Sequence, residues 1–246
     1  MKVLRSVTQG LFALIGILAF TWPLIIPADA QLQGKTQWIF LVIFPLIFLV
    51  TYSDFSENLT DSRTIATLGV LIAFSSVLRI LGAGEAGIEP IWLGIILGGR
   101  VLRAQHAFLF GSLTLFVSAL ITGGVGPWLP YQMFLAAFIA MGAGTLRHLR
   151  GKREIAWLTI FGVMSSVLFG LFMDLQFWPW LGGASSIAYV PGDSFFENLT
   201  RFWVFHISTG FAWDIPRAIM TSTLLLFLGR PILSTLRRFT RNDYLT

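Results

Sequence analysis

Long apolar runs constrain this chain more than any other feature. Eight can be read, at roughly 9–27, 37–53, 63–81, 88–101, 106–122, 130–146, 155–173 and 202–229. A bilayer hydrocarbon core about 30 Å thick takes about 20 helical residues to cross. Most of the runs approach that length. Apolar residues make up 55% of the 246 and charged residues only 12%, about half the charge of a soluble domain. Water-soluble packing cannot hide that much apolar surface, so lipid is the expected solvent for much of it. In lipid every backbone polar group must be paired inside the chain, which favours helices for runs of this length. The expected fold is therefore all-α, a polytopic membrane helical bundle. The fourth run is short and carries Gly94, Gly98 and Gly99; it predicts a broken or tilted helix buried among its neighbours. The last run is long and must tilt or project from the membrane.

The basic residues predict orientation. With the N-terminus placed in the cytoplasm, Lys2, Arg5, Arg63, Arg100, Arg103, Arg147, Arg150, Lys152, Arg153, Arg230, Arg237, Arg238 and Arg241 all fall on or near that side. Only Lys35 and Arg201 fall opposite, while Arg79 and Arg217 lie within or near spans. That asymmetry predicts a multi-pass protein of the inner (cytoplasmic) cell membrane, with an even number of spans and both termini cytoplasmic. It also accounts for an isoelectric point near 10.1 without nucleic acid as a partner. The first run, preceded by Lys2 and Arg5 and followed by Ala28-Asp29-Ala30, also fits a cleaved signal peptide; the reading adopted is a retained span. The longest non-apolar stretch, about 174–201, falls outside, too short for a domain and suited to a lid.

Polar and ionisable groups are costly in a membrane, so their placement is informative. The last span holds His206, Gly210, Trp213, Asp214 and Arg217, spaced to share one helical face that looks into the bundle or a wet cavity. Asp214 and Arg217 are three apart and close enough to pair, which leaves a structural ion pair and a ligand site as equal readings. Arg79 ends the third run, before a glycine-rich turn with Glu85 and Glu89; a solvated loop would explain that turn, but Arg79 follows a continuous apolar run and is less easily explained so, unless it snorkels to the interface. The fifth-to-sixth connection reads Thr122-Gly123-Gly124-Val125-Gly126-Pro127-Trp128-Leu129-Pro130-Tyr131-Gln132-Met133. Its glycines and prolines fix a compact, non-helical backbone. Trp128 and Tyr131 offer flat apolar faces, and Gln132 a donor and an acceptor. Asp174, Gln176, Trp178 and Trp180 sit at the same level. An aromatic belt at the headgroups explains some of the tryptophans, but not the accompanying Arg, Asp, Gln and His. Together the set suits stacking on, and hydrogen bonding to, a flat polar organic solute. Elsewhere, Gly69 and Ala73 on the third run form a small-xxx-small pair, and Ala136, Ala140 and Gly144 a second spaced set on the sixth; both permit close helix contact.

Several chemistries find no support. There is no cysteine, hence no disulfide framework or thiolate metal site. No phosphate-binding Gly-x-x-x-x-Gly-Lys-Ser/Thr segment, His-Glu-x-x-His helix or Gly-x-Ser-x-Gly elbow occurs. His106, His148 and His206 are too far apart for a shared metal site. His206 and Asp214 are eight residues apart, about 12 Å along a helix axis, which predicts no direct pair. No cofactor and no enzymatic activity are expected.

The stretch Gly123-Gly124-Val125-Gly126-Pro127-Trp128-Leu129-Pro130-Tyr131-Gln132-Met133, followed by a Gly/Ala-rich helix and a basic loop, resembles the substrate-specific (S) components of energy-coupling factor (ECF) transporters, the actinobacterial-type members most nearly. Trp213-Asp214-x-x-Arg217 and Gly229-Arg230-Pro231 resemble that family too. The likeness runs from about 63 to 238. It implies a six-helix S-component-like domain over 63–246, with residues 1–62 a two-span N-terminal extension. It further implies capture of a vitamin or related micronutrient at the outer face, cobalamin-like in preference to a pyrimidine, flavin or deazapurine. The family's partners would be a transmembrane coupling subunit, driven by two cytoplasmic ATPase subunits, and membrane lipid. Docking in the family uses small residues on the first core helix; Gly69 and Ala73 are the nearest match. On this reading the substrate-binding candidates are Arg79, Glu85, Glu89, Trp128, Tyr131, Gln132, Asp174, Trp178, His206, Trp213, Asp214 and Arg217.

Two other classes fit less of the sequence. A proton-coupled secondary transporter would use Asp214, Arg217 and Glu89 as a relay, but no inverted repeat is evident. An integral membrane enzyme acting on lipid would need carboxylates or histidines near the cytoplasmic headgroups, where Asp54, Glu57 and Asp61 are the only candidates.

Overall fold

The computed structural model describes residues 14, 16–21, 23–25, 62–82, 85–145, 148–181 and 186–240, apart from the side chains of Arg63, Glu85, Phe239 and Thr240. The second apolar run, the Ala28-Asp29-Ala30 segment and Asp54, Glu57 and Asp61 lie outside the described residues. Within them the chain is all-helical: α1 (Ser62–Leu78), α2 (Ile91–Val101), α3 (Ala104–Thr122), α4 (Leu129–Thr145), α5 (Gly151–Phe177), α6 (Phe195–Phe205) and α7 (Phe211–Thr240). Short 3₁₀ turns at Glu85–Gly87 and Trp178–Trp180 and a π-helical turn at His206–Gly210 complete the order. Three helical stretches, Ala104–Thr122, Gly151–Trp180 and Phe195–Arg238, are long and apolar enough to cross a membrane, the make-up of a helical membrane bundle.

The short fourth run forms α2, and all eleven of its residues are buried. At about 1.5 Å per residue it falls well short of a bilayer. A helix of this length is tolerated at membrane depth because protein, not lipid, surrounds it. Its glycines are what bring the neighbours close. A Cβ at Gly99 would strike the backbone of Ala140 on α4, and one at Gly94 would strike Ser75 on α1. The same logic joins α3 to α4, where Gly111 lies against the backbone of Ala136. The Ala136/Ala140 set is thus an internal seam, with both alanines fully buried. Gly69 behaves oppositely: it is exposed, and a Cβ there would meet nothing within 4 Å. Ala73 is exposed on the same helix, as are Ile65, Val70, Phe74 and Val77, so α1 turns an apolar face away from the other described helices.

The described part of the first run packs on this core. Phe20 is buried, with its ring edge-on to Tyr131 at 4.9 Å and to Phe172 at 5.3 Å between centroids.

Helix directions define two ends. α1, α3 and α5 finish, and α2, α4 and α7 begin, at the end that holds Arg217. At the other end Glu154, 2% exposed in its side chain, accepts from Arg100 Nε at 2.7 Å and also pairs with Arg237. Arg100 additionally donates to the Leu149 carbonyl at 3.1 Å. One buried carboxylate therefore ties α2, α5 and α7 together. Glu154 and Asp174, near the two ends of α5, are separated by roughly 30 Å along its axis, about the thickness of the hydrocarbon core.

The last span does project. α6, the π turn and α7 run on from one another, and α6 extends past the level where α5 ends. A second small core forms there. Trp178, Leu175, Tyr189, Phe202 and Phe205 are buried together. Trp178 Nε1 donates to the Ile187 carbonyl at 2.8 Å, and Asn198 both accepts from Val190 N at 3.1 Å and donates to its carbonyl at 2.9 Å. Ser194 and Glu197 form a capping box that starts α6. The described residues 186–194 are thus pinned on both sides, to Trp178 and to Asn198, as a cap at the Arg217 end.

Candidate functional site

The residues brought together at the capped end form a connected chain of ionisable groups. Asp174, in the last turn of α5, accepts from His206 Nδ1 at 2.7 Å. His206 Nε2 lies 3.8 Å from Asp214 Oδ2. Asp214 Oδ1 accepts from Arg217 Nη1 at 2.7 Å, and Arg217 Nε donates to Glu89 Oε2, also at 2.7 Å. Glu89 Oε2 takes a further hydrogen bond from Trp92 Nε1 at 2.8 Å. His206, Asp214 and Arg217 are 1%, 1% and 6% exposed, so these charges are held by one another and not by solvent.

Local backbone makes the chain possible. Separation by eight residues would place His206 and Asp214 about 12 Å apart along an ideal α-helix; the structure brings them to 3.8 Å, within ion-pair reach, though no hydrogen bond joins them. The turn His206–Gly210 is π-helical, a wider and shorter coil of the kind that recurs at functional sites. It shortens the rise, and Asp214 leans back toward the N-terminus, as helical side chains do. The same turn breaks the single face that constant 3.6-residue spacing predicts. His206, Gly210, Asp214 and Arg217 are buried, whereas Trp213 is 49% exposed. Trp213 contributes its backbone instead: Gly87, at φ +76°, brings the 3₁₀ turn against the Trp213 carbonyl, where a Cβ would not fit.

Two further glycines make room for charge. A Cβ at Gly170 on α5 would overlap the Asp214 carboxylate, and one at Gly210 would overlap Asp174 Oδ2. The neighbouring turn of α5 supplies Phe169, whose ring lies 5.0 Å from the Arg217 guanidinium carbon and stacks edge-on with Trp92 at 4.5 Å. That geometry is a cation–π contact. Trp92, Ser166, Phe169 and Gly170 were not singled out from the sequence. Ser166 and Gly170 are polar or small residues inside an apolar run and Trp92 and Phe169 aromatics within one, both common in membrane helices. Gly170→Ala is expected to push Asp214 off Arg217 and to cost about 1–3 kcal/mol, as overpacking does. Gly69→Ala, with open space at its Cβ, is expected to stay within about 0.5 kcal/mol. Thermal unfolding of the two purified variants checks the contrast.

The other residues singled out from the sequence take different places. Arg79, half-buried, reaches across to α3 and donates to Ser118 Oγ at 3.0 Å. Trp128 is 40% exposed and donates to the Gly124 carbonyl at 3.2 Å, closing the glycine-rich turn. Tyr131 is 1% exposed against Phe20 and Trp178 1% exposed within the cap; both rings are spent on packing and present no open face. Glu85 opens the first 3₁₀ turn. Gln132 lies in the first turn of α4; among the described residues its buried Oε1 has no hydrogen-bond partner, and neither has Gln176 Oε1 or Asp214 Oδ2. Among the described residues no three His, Cys, Asp or Glu side chains are grouped to hold a metal ion. An apolar cleft lined by Leu71, Phe74, Leu93, Leu97, Ile232 and Leu236 lies away from the ionisable chain.

Comparison with protein families, curated proteins and solved structures returned no match.

Proposed function

We propose that the chain is the substrate-capturing membrane subunit of an ECF-type ABC transporter, taking a vitamin or related micronutrient, cobalamin-like by preference, at the capped end. The observation that carries this reading is the gathering of Arg79, Glu89, Gln132, Asp174, Gln176, His206, Asp214 and Arg217 at one end of the bundle beneath a pinned cap. Charge at membrane depth is retained where it serves a solute, an ion or a proton. The resemblance of the Gly123–Met133 stretch to S components names the class of solute. Orientation by the basic residues makes that end extracytoplasmic, with a transmembrane coupling subunit and two cytoplasmic ATPases as partners. The face of α1 around Gly69 and Ala73, unpartnered among the described residues, is the docking surface in this reading.

Mass spectrometry of small molecules released from gently purified full-length protein tests it. A stoichiometric vitamin is the expected result, and protein that carries none and shifts its melting temperature with none defeats the reading. Gly69→Leu is expected to leave binding unchanged and to lower uptake severalfold in cells that hold the partner subunits. Equal uptake would remove the docking role of α1.

The linked Asp174–His206–Asp214–Arg217–Glu89 chain supports a second reading, a proton-coupled transporter working alone. Uptake by the isolated chain in vesicles, abolished by an uncoupler while ATP is maintained, would select it.

A further inference from the structure

The capped end is unevenly satisfied. Its cations have partners: Arg217 bonds Asp214, Glu89 and the Ser166 carbonyl, His206 bonds Asp174, and Arg79 bonds Ser118. Three of its buried acceptors do not. Among the described residues Gln132 Oε1, Gln176 Oε1 and Asp214 Oδ2 are enclosed with no hydrogen-bond donor, His206 Nε2 standing 3.8 Å from Asp214 Oδ2, beyond hydrogen-bonding reach, and Gln176 and Asp214 are 3% and 1% exposed as whole residues. Topology places all three at the same end: Gln132 in the first turn of α4, Gln176 in the last turn of α5, Asp214 in the first turn of α7. A buried acceptor without a donor destabilises the protein that carries it. Enclosed as these atoms are, bulk solvent does not reach them. Retaining three at one end has a physical reason if a donor arrives from outside.

We infer that the cargo of this end presents N–H donors, as a carboxamide or a ring lactam does, to Gln132, Gln176 and Asp214, and is not an anion recognised by charge. This inference rests on the capture reading proposed above and narrows its substrate class. The acceptor chemistry agrees: a phosphate or carboxylate brings further acceptors and no N–H for the unpaired oxygens. Arg79 fits the same class. Its one side-chain hydrogen bond goes to a neutral hydroxyl, which leaves guanidinium N–H groups for a carbonyl. An amide supplies both halves, N–H for the orphan acceptors and C=O for Arg79. The acceptors act as a filter, because a site built around unpaired polar groups strongly rejects analogues that lack the matching donor.

The test has two arms on the full-length protein in detergent. The first needs no ligand: the melting temperatures of Gln132→Met and Gln176→Met are compared with the parent. Replacing an orphan acceptor by an apolar group of the same shape is neutral or stabilising, so an unchanged or higher melting temperature is expected, by about 2–4 °C where the gain is full. A fall of several degrees in both variants shows that internal groups or bound water satisfy these side chains, and overturns the inference. The second arm compares protection by matched probes: riboflavin against 3-methylriboflavin, and cobinamide against cobyrinic acid. For the ring class that binds, the N–H form is expected at least tenfold tighter, with that preference reduced in Gln176→Met. Equal binding, or preference for the N-methyl or carboxylate form, overturns the inference and leaves capture of a vitamin standing. Protection by none of the four overturns both.

Discussion

Arg217→Met is expected to lower stability by about 3–5 kcal/mol, the usual consequence of removing one member of a buried ion pair. The parent side chain is almost wholly enclosed and bonds Asp214, Glu89 and the Ser166 carbonyl. Its loss strips Asp214 and Glu89 of the cation that hydrogen-bonds them both. At about 2–4 °C per kcal/mol for a chain of this size, the melting temperature should fall by roughly ten degrees. Much of the fall should be recovered by adding Glu89→Gln and Asp214→Asn, because the penalty lies in the stranded charges. A single variant that melts with the parent would show that Arg217 does not hold the helices. It would then be available to a solute in the way the sequence pattern alone allowed.

Gly99→Val is the second large effect. The position faces the Ala140 backbone across the α2–α4 seam, so the added carbons meet main chain and not a side chain that can swing away. The helices must separate, and α2 has no lipid-facing side toward which to move. A loss above the about 1–3 kcal/mol typical of overpacking is expected, read as failure to elute as a single species in detergent. Gly69→Leu is the matched control: a larger side chain on α1, with open space around it, should elute and melt as the parent does. If both variants behave alike, the seam is not the contact that fixes α2.

The long helices were legible because they are apolar runs near membrane length, and lipid leaves such a run little choice but to coil; α6 was not, because most of it lies in the stretch 174–201 read as non-apolar. The shortness and burial of α2 were legible for the same reason, since eleven residues with three glycines cannot span. The pairing of Asp214 with Arg217 followed from their spacing. The rest of the chain did not. Glu89 meets Arg217 across 128 residues and Asp174 meets His206 across 32; no periodicity within one helix reports contacts between helices. The π turn was invisible because sequence spacing assumes a constant pitch. That one departure moved His206 to Asp214 and turned Trp213 outward. Trp178 and Tyr131 looked like binding surfaces because burial of an aromatic side chain depends on what folds over it, and Phe20, Ile187 and Tyr189 belong to other segments.

The complete enclosure of α2 has a consequence for how such a chain drifts over generations. A helix touching neither lipid nor water has no side on which replacements are free. Each position answers at once to several neighbours, and its glycines answer to main chain. Along a lineage α2 should change most slowly, while the outward residues of α1 trade one greasy side chain for another.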